Sequence, residues 1–378
     1  MTSKQKDKPS KRLRVALVSP SQDAYSETFI QAHKNLIDAE VVYYYGGKLP
    51  RFVENKYSLI SNDRRLKSFF KTKFLKGFSS ALEYSLFESF KKEKIDIVLA
   101  EYGPTGNAIL PVVKALSLPL VVHFHGYDAS RYTIIEKNKR YRELFSVAKK
   151  IIVVSRVMEG KLLQLGCNAD KLVVNPCGPN SSFSQLEPSL DSLDLIGIGR
   201  FVDKKAPYYT ILAFSEVLNT FPKAKLILAG QGPLLNTCKN LVKYLGIEGS
   251  VEFLGIIKPV EFQDYLLKVR AFVQHSITAE DGDMEGTPVA VVEASSAGIP
   301  VISTKHAGIP DVILDNESGI LVEEHDVEGM SKAMVALLSN VRLAKEMGTT
   351  GRRHIVSNYS LKEHIDKIDQ AIAEAYNS

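Results

Sequence analysis

The chain alternates short β-branched runs with stretches of helical periodicity, and this alternation restricts its possible folds more than any other feature. In the first half the runs cover 13–18, 40–45, 96–100, 120–125, 151–154 and 171–174, and in the second half 193–198, 225–229, 250–254, 271–274, 299–303 and 319–322. Strands that alternate with helices form βαβ units around a parallel sheet. We therefore predict an α/β protein built on parallel sheets.

A stretch rich in turn residues, 175–192, divides the strand pattern into two halves. The 378 residues exceed the size at which single cores stop growing, about 250–300 residues, so two domains are expected. We predict a polar N-terminal tail over 1–11, a first domain over 12–180, a linker over 181–189, a second domain over 190–357 and a C-terminal helix over 358–378 that returns to the first domain. Because open parallel sheets bind ligands at the carboxyl ends of their strands, two such sheets facing each other would form a ligand-binding cleft.

Composition narrows the class of protein. Apolar residues make up 45% of the chain and charged residues 24%, which is typical of a globular protein. The three cysteines, Cys167, Cys177 and Cys238, are odd in number and lack metal-ligand spacing, which favours a reducing compartment without disulfides. The polar first eleven residues do not resemble a secretory signal, and no run of about 18 apolar residues is present. We therefore expect a cytoplasmic protein.

One basic stretch, residues 64–78, interleaves lysine and arginine with phenylalanine and leucine. A basic helix with an aromatic face is the pattern of an interfacial binder of anionic membranes, which would place the protein peripherally on the inner face of the cytoplasmic membrane. The alternative is a solvated helix whose aromatic residues belong to the core. We do not expect nucleic acid as a partner, because no helix-turn-helix or zinc-finger spacing accompanies the stretch.

The segment Glu285-Gly-Thr-Pro-Val-Ala-Val-Val-Glu293 places two carboxylates eight positions apart. If a helix begins at Gly286, both acids lie on one face of it, two turns apart. Pro288 suits the first turn of a helix, where its missing N–H is not needed. The amides of Gly286 and Thr287 would then lie at a helix N-terminus, which favours phosphates or sugar oxygens. The alternative is an amphipathic core helix with two solvated acids.

A second cluster follows the strand predicted over 193–198. Gly199 allows close backbone approach to a phosphate, and Arg200 and Lys205, five positions apart, can bind a diphosphate from two sides. The pair Gly197-x-Gly199 lacks the third glycine of a dinucleotide fingerprint, so a nicotinamide site is not supported. The alternative interpretation of Arg200 and Lys205 is plain surface charge.

In the first half, His123-Phe-His-Gly-Tyr-Asp128 leaves a strand and enters a glycine turn. We favour His125 over His123 as the histidine of the cleft, because His125 lies nearer the strand end and Gly126. Asp128 is interpreted either as a residue of the cleft or as a helix cap. After the first strand, Ser26, Glu27 and Thr28 are predicted to start a helix, with Ser26 as its cap.

Together these residues resemble the retaining glycosyltransferases of the GT-B fold, glycosyltransferase family 4 or group 1, of the bacterial surface-polysaccharide type. The resemblance is carried by Gly-Arg-Phe followed by Lys205, by Gly230-Gln-Gly-Pro, by the two glutamates of 285–293 and by Ala-Gly-Ile-Pro-Val at 297–301. It implies two Rossmann-like domains facing across a cleft. It also implies that Arg200 and Lys205 hold the donor diphosphate, that Glu293 binds the ribose hydroxyls, and that Glu285 holds the donor sugar with the amides of Gly286 and Thr287. It further implies an acceptor side of the cleft formed by Ser26, Glu27, Thr28, Gly126 and Asp128. The chain departs from the family at 19–29, where paired glycines are absent.

The resemblance predicts a retaining hexosyltransferase that moves a sugar from a nucleotide diphosphate sugar, with a UDP-sugar as the first expectation, to a saccharide or lipid-linked saccharide acceptor. His125, Glu285, Arg200 and Lys205 are its expected catalytic residues. Neither a cofactor nor a metal is expected, and Asp281-Gly-Asp283 is interpreted as a solvated loop. No second cleft acid is evident apart from Asp128, which favours front-face displacement over a carboxylate nucleophile. Two alternatives remain: a sugar-nucleotide epimerase of the same architecture, and a non-catalytic subunit that binds a glycan or nucleotide.

Overall fold

The computed structural model describes residues 12–24, 27–60 and 78–378, which form two α/β units, each built around its own sheet. Ser26 lies outside the described residues. The basic stretch 64–78 also lies outside them, except for its last residue, Phe78. The predicted membrane-binding helix is therefore still a prediction. The predicted cap at Ser26 is wrong, because the helix that begins at Thr28 has Glu27 at its N-cap position.

The first sheet has eight strands in the order β4-β3-β2-β1-β5-β6-β7-β8. Their bounds are β1 Arg14–Val18, β2 Glu40–Tyr45, β3 Phe52–Val53, β4 Tyr57–Ser58, β5 Ile97–Glu101, β6 Leu120–Phe124, β7 Lys150–Val153 and β8 Leu172–Val174. All pair in parallel except β3 and β4, which add an antiparallel hairpin at one edge. This hairpin was not predicted, because strands of two residues are too short to show a period-2 pattern.

The second sheet has six parallel strands in the order β11-β10-β9-β12-β13-β14. Their bounds are β9 Asp194–Ile198, β10 Lys225–Ala229, β11 Val251–Gly255, β12 Ala271–Gln274, β13 Val301–Thr304 and β14 Gly319–Val322. Every strand predicted in either half is present within two residues of its expected bounds. The chain crosses from one sheet to the other over 175–193, which contains the predicted linker 181–189.

Helices cover both faces of each sheet. Those of the first half are α1 Thr28–Leu36, α2 Ala81–Lys92, α3 Gly103–Leu116, α4 Tyr127–Ser130, α5 Tyr132–Lys137, α6 Arg142–Val147, α7 Arg156–Gln164 and α8 Ser181–Ser184. Those that follow are α9 Pro207–Val217, α10 Leu235–Leu245, α11 Pro259–Leu266, α12 Val289–Ser296, α13 Ile309–Val312, α14 Val327–Ser339, α15 Val341–Asn358 and α16 Leu361–Asn377. Because helices cover both faces, the central strands are buried along their whole length, as in Ile97–Glu101, where every residue is buried.

The C-terminal helix α16 returns to the first sheet, as predicted. A capping box between Ser360 and Glu363 starts the helix. Its apolar positions Ile365, Ile368 and Ile372 fall on one face and are buried in a cluster with side chains of β1, β5 and β6. The last helix of the chain is thus part of the core of its first half.

This packing predicts a large stability effect from a small change at the end of the chain. Ile368→Ala should lower the free energy of unfolding by about 2–5 kcal/mol, because Ile368 is fully buried and its loss leaves a cavity. The measurement is urea denaturation followed by circular dichroism. The control is Lys367→Ala at the exposed neighbouring position, expected to stay within about 0.5 kcal/mol. Equal effects of the two substitutions would contradict the packing described here.

Candidate active site

A cleft of about 310 Å³ lies between the two halves, at the carboxyl ends of strands from both sheets. Most of the predicted site residues line it: Glu27, Thr28, His125, Gly199, Arg200, Lys205, Glu285, Gly286, Thr287, Pro288 and Glu293. These residues come from four separate stretches of the chain. Two of the predicted residues, Gly126 and Asp128, are not among those that line it.

Hydrogen bonds join the two halves along the edge of the cleft. The hydroxyl of Thr287 donates to the carbonyl of Val154 (2.6 Å), and the N–H of Met284 donates to the hydroxyl of Ser130 (3.0 Å). Gly286 is needed for this approach, since a Cβ at this position would lie 2.4 Å from the carbonyl oxygen of His125. The loop that carries Glu285 is therefore held directly against the end of β6.

The acidic loop Asp281-Gly-Asp283 is part of the same contact, which corrects its interpretation as a solvated loop. Asp281 forms an ion pair with Arg131 of the first half (2.5 Å), and Asp283 accepts a hydrogen bond from Lys204 (3.0 Å). Lys204 also donates to the carbonyl of Met284 (2.9 Å). Sequence reasoning missed Lys204, because Lys204 and Lys205 are adjacent in one turn and the sequence does not show that Lys204 is buried against the loop of Asp283 and Met284.

The cations follow strand β9. Lys205 ends a 3₁₀ turn and lies over Gly199, where a Cβ would come within 3.1 Å of the lysine side chain. Its Nζ lies 3.3 Å from Oε1 of Glu285 and donates to Gln274 (3.2 Å). Arg200 is exposed at the mouth of the cleft. Gly230, at φ +132°, also lines the cleft and admits no side chain, since its Cβ would lie 1.9 Å from the oxygen of Gly199.

The charges around Glu285 determine its protonation. Burial by itself would raise the pKa of Glu285, but the charges of Lys205 and Lys204 outweigh it and hold that pKa below its usual range. Burial lowers the pKa of Lys205, and Glu285 opposes that shift. Because the two groups are buried together, each keeps the other charged.

A histidine that sequence reasoning did not single out positions Glu285. Nε2 of His306 accepts a hydrogen bond from the Glu285 N–H (3.1 Å), and its Nδ1 lies 2.6 Å from Oε1 of Glu324. Since Nε2 accepts, Nδ1 carries the proton and donates to Glu324. No spacing motif marks this arrangement, because its members come from three separate loops.

The helix of the two glutamates begins later than predicted. Helix α12 starts at Val289, with Pro288 in an extended conformation at its N-cap, so Gly286 and Thr287 precede the helix. The prediction that Glu285 and Glu293 lie two turns apart on one helix is wrong. The cause is the contact with the first half, because the Thr287 side chain is bonded to Val154 and the backbone there runs across the cleft. Both carboxylates nevertheless line the cleft.

Glu293 faces the cleft from the second turn of α12 without a described hydrogen-bond partner. Although it is partly exposed to the cleft, desolvation by the surrounding protein raises the pKa of its carboxyl to about 7. A ligand with hydroxyl groups would supply the donors that the ionised carboxylate lacks here.

His125 lines the first-half wall of the cleft. Its ring stacks on Phe29, with 4.4 Å between centroids, and packs against Tyr102 at 4.8 Å. Its Nε2 lies 2.7 Å from Oε2 of Glu101, a fully buried carboxylate at the end of β5. The expectation that no acid of the first half apart from Asp128 lies at the cleft is wrong because of Glu27, which lines it, whereas Glu101 lies behind the cleft wall. Sequence reasoning did not identify Glu101 as a site residue, because it ends an otherwise apolar strand.

The acceptor-side residues have separate placements. Helix α1 begins at Thr28 with Glu27 at its N-cap position, and Glu27 accepts a hydrogen bond from Tyr102 (2.8 Å). Asp128 does not face the cleft: it is buried and accepts hydrogen bonds from the N–H groups of Gly103, His125 and Gly126 (2.9–3.0 Å). The prediction of an acceptor contact for Asp128 is corrected accordingly. Gly126 lies against the backbone of Gly286 and Met284, at the contact between the halves.

Comparisons with known proteins agree with this architecture. The family model described as "Glycosyltransferase Family 4" matches residues 32–183, and that described as "Glycosyl transferases group 1" matches residues 180–354. The chain therefore belongs to the group 1, family 4 glycosyltransferases.

Relatives and solved structures point the same way. The amylovoran biosynthesis glycosyltransferase AmsK of Erwinia amylovora is 33% identical over 248 residues, and the putative colanic acid biosynthesis glycosyltransferase WcaL of Escherichia coli K12 is 29% identical over 249. Each match spans 64% of this chain and 61% of the relative's length. The structure of Anabaena Alr3699/HepE in complex with UDP and glucose superposes with a TM-score of 0.75 at 15% identity, covering 96% of this chain and 99% of the other. That likeness shows the two-domain GT-B fold.

None of the helices among the described residues combines the length and the apolar composition that a bilayer crossing requires.

The raised pKa of Glu293 predicts a pH-dependent gain in stability from Glu293→Gln. The carboxyl titrates near 4.5 in the unfolded chain and about 7 in the folded one, so the folded state is penalised once the group ionises. The gain in the free energy of unfolding should be small at pH 5 and approach an upper limit of about 3 kcal/mol above pH 8. This limit follows because each unit of difference between the two pKa values corresponds to about 1.4 kcal/mol. Urea denaturation at both pH values measures it, with Glu252→Gln on an exposed residue as control. A gain that does not grow with pH would contradict the desolvated site.

Proposed function

We propose that this protein is a retaining glycosyltransferase that moves a sugar from a nucleotide diphosphate sugar to a saccharide acceptor in surface polysaccharide assembly. The observation that carries the proposal is the convergence of two kinds of group on one cleft. Cations and carboxylates from the second half, Lys205, Arg200, Glu285 and Glu293, face a histidine and a glutamate from the first, His125 and Glu27. One side thus suits a charged donor, and the other suits a hydroxylated acceptor.

On the donor side, the diphosphate would lie against Gly199, with Arg200 and Lys205 as its counter-charges. The ribose hydroxyls would donate to Glu293, which otherwise has no described donor in the cleft. Glu285, held ionised by Lys205, would accept hydrogen bonds from hydroxyls of the donor sugar. Family membership supports this placement, because the same residues carry the resemblance to the family.

We infer front-face displacement as the mechanism. The acceptor hydroxyl oxygen bonds to the anomeric carbon as the bond from that carbon to the diphosphate oxygen breaks, and the leaving phosphate oxygen takes the hydroxyl proton. The protein's main task is to stabilise charge on the leaving diphosphate, which Arg200 and Lys205 can do. Glu101 supports no nucleophilic role, since it is fully buried behind the ring of His125. Glu27 does line the cleft, and its carboxylate is engaged by the hydroxyl of Tyr102.

The finer identity of the substrates is also a proposal. UDP is the expected nucleotide and a lipid-linked saccharide the expected acceptor, with the protein at the inner face of the cytoplasmic membrane. We propose that no metal is required, because Asp281 and Asp283, the acidic pair of the loop before Glu285, are engaged by Arg131 and Lys204.

Product analysis tests the proposal and separates it from the epimerase and the non-catalytic subunit. The protein is incubated with UDP-sugars and GDP-sugars, with and without lipid-linked and free saccharide acceptors, in the presence of EDTA. A transferase should release the nucleoside diphosphate in step with a glycosylated acceptor that retains the α or β configuration of the donor.

Three other results would each contradict the proposal. A changed sugar in the donor incubated alone identifies an epimerase, and nucleotide binding without turnover across the acceptor panel identifies a binding subunit. Inversion at the anomeric carbon excludes the front-face mechanism.

The two cations provide a quantitative prediction. Arg200→Ala and Lys205→Ala should each lower kcat by about ten- to a hundredfold at saturating donor, if each charge-assisted hydrogen bond contributes about 1.5–3 kcal/mol to the transition state. Initial rates at several donor concentrations measure the effect. Lys223→Ala, at an exposed position outside the cleft, should leave kcat unchanged. Full turnover by both cleft variants would exclude these residues as the diphosphate site.

A further inference from the structure

Behind the first-half wall of the cleft, one carboxylate is surrounded by four histidines. Glu101 comes from β5, His123 and His125 from β6 and the residue that follows it, His33 from α1 and His364 from the C-terminal helix α16. Glu101, His33, His123 and His364 are all buried, with at most 2% exposure. Of these five residues, the proposed function uses only His125.

Three short contacts join four of the five residues into a chain. Nε2 of His364 lies 2.8 Å from Nε2 of His33, whose Nδ1 lies 2.7 Å from Oε1 of Glu101. The other oxygen of Glu101 lies 2.7 Å from Nε2 of His125. This hydrogen-bonded series of side chains thus runs from the C-terminal helix to the ring of His125, which lines the cleft.

The charge of Glu101 determines which atoms hold protons. Burial by itself would raise the pKa of Glu101, but His33 and His125 outweigh it and lower that pKa to about 2. An ionised carboxylate only accepts hydrogen bonds, so both histidine nitrogens that face it must carry hydrogen. In the neutral ring of His125, Nε2 is then the donor and Nδ1 the acceptor.

His123 is not a link in this chain. Its ring lies between His33 and His125, at centroid distances of 5.3 and 4.1 Å, and its Nδ1 is 3.7 Å from Glu101, beyond hydrogen-bond length. Neither of its ring nitrogens has a hydrogen-bond partner among the described residues. Burial lowers its pKa well below the ordinary value, so it is a neutral ring packed between the rings of His33 and His125.

We propose that Glu101 is a positioning residue that holds His125 in its Nε2–H tautomer, and that His33, backed by His364, fixes Glu101 for this task. The consequence for the reaction rests on the proposed function: Nδ1 of His125 is presented as an acceptor for a sugar hydroxyl. The C-terminal helix thereby supports the site through His364 as well as through its apolar face.

The tautomer is measured directly in the wild-type protein. In ¹⁵N-histidine-labelled protein, the His125 signals are assigned by their loss in His125→Asn. We expect a protonated Nε2 and an unprotonated Nδ1 at neutral pH. A protonated Nδ1 with a bare Nε2 would overturn the proposal, and so would a stoichiometric metal ion bound to Glu101, found by elemental analysis. This measurement needs no substrate, so it stands even if the proposed transferase activity is absent.

Glu101→Gln tests the role in the reaction. The amide keeps the shape of the side chain but has a single acceptor oxygen for two imidazole donors, His33 and His125. Both tautomers of His125 should then be populated, and kcat should fall by about tenfold or more while the donor KM changes less than threefold. Glu83→Gln is the matched control: Glu83 is a buried carboxylate of the same half whose hydrogen-bond donor among the described residues is Ser79, and its substitution should change neither quantity.

A double variant separates positioning from mere structural support. His33→Phe removes the competing donor, so in Glu101→Gln/His33→Phe the amide oxygen is free to accept from His125. The Nε2–H tautomer should return, and kcat should recover at least threefold over Glu101→Gln alone. A double variant slower than Glu101→Gln, or a single variant that keeps both the tautomer and kcat, would overturn the proposal.

Discussion

The contact between the Glu285 loop and the end of β6 is the constraint on which the rest of the site depends. The hydroxyl of Thr287 is bonded to the carbonyl of Val154, and Gly286 lies against the carbonyl of His125. A side chain at Gly286 would separate the two sheets, and the two walls of the cleft would no longer face each other. The same contact explains why helix α12 begins at Val289, because the residues before it must cross to the other half.

Electrostatics then divides the cleft into two chemical environments. On the second-half wall, Lys205 and Glu285 are largely buried and keep each other ionised, and His306 holds the backbone of that glutamate. On the first-half wall, Glu27 lines the cleft, whereas the buried carboxylate of Glu101 is enclosed by imidazole rings and reaches the cleft only through His125. The first wall presents fixed charge to a charged ligand, and the second presents a polar ring whose tautomer is set from behind.

Particular residues show how far the sequence predicts this arrangement. Apart from the β3–β4 hairpin, the strands were predictable because each is a continuous β-branched run. The places of Lys205 and His125 at the cleft were predictable because each follows a strand end, and those of Glu285 and Glu293 because their segment carries the resemblance to the family. Glu101, Lys204 and His306 were not predictable, because each matters only through a partner more than 15 residues away in sequence. Asp128 was misplaced for a related reason, since local spacing does not show that three amides surround its carboxylate.

The sequence by itself determined the two parallel sheets, the return of the C-terminal helix and the stretches of chain that meet at the cleft. These follow from periodicity and from the order of strands, which are local properties of the chain. Only the tertiary structure decided which groups are charged, which nitrogen of His125 carries hydrogen and which acids are engaged by cations of the opposite loop. Burial and distance set those properties, and both depend on residues that come together only when the two sheets face each other.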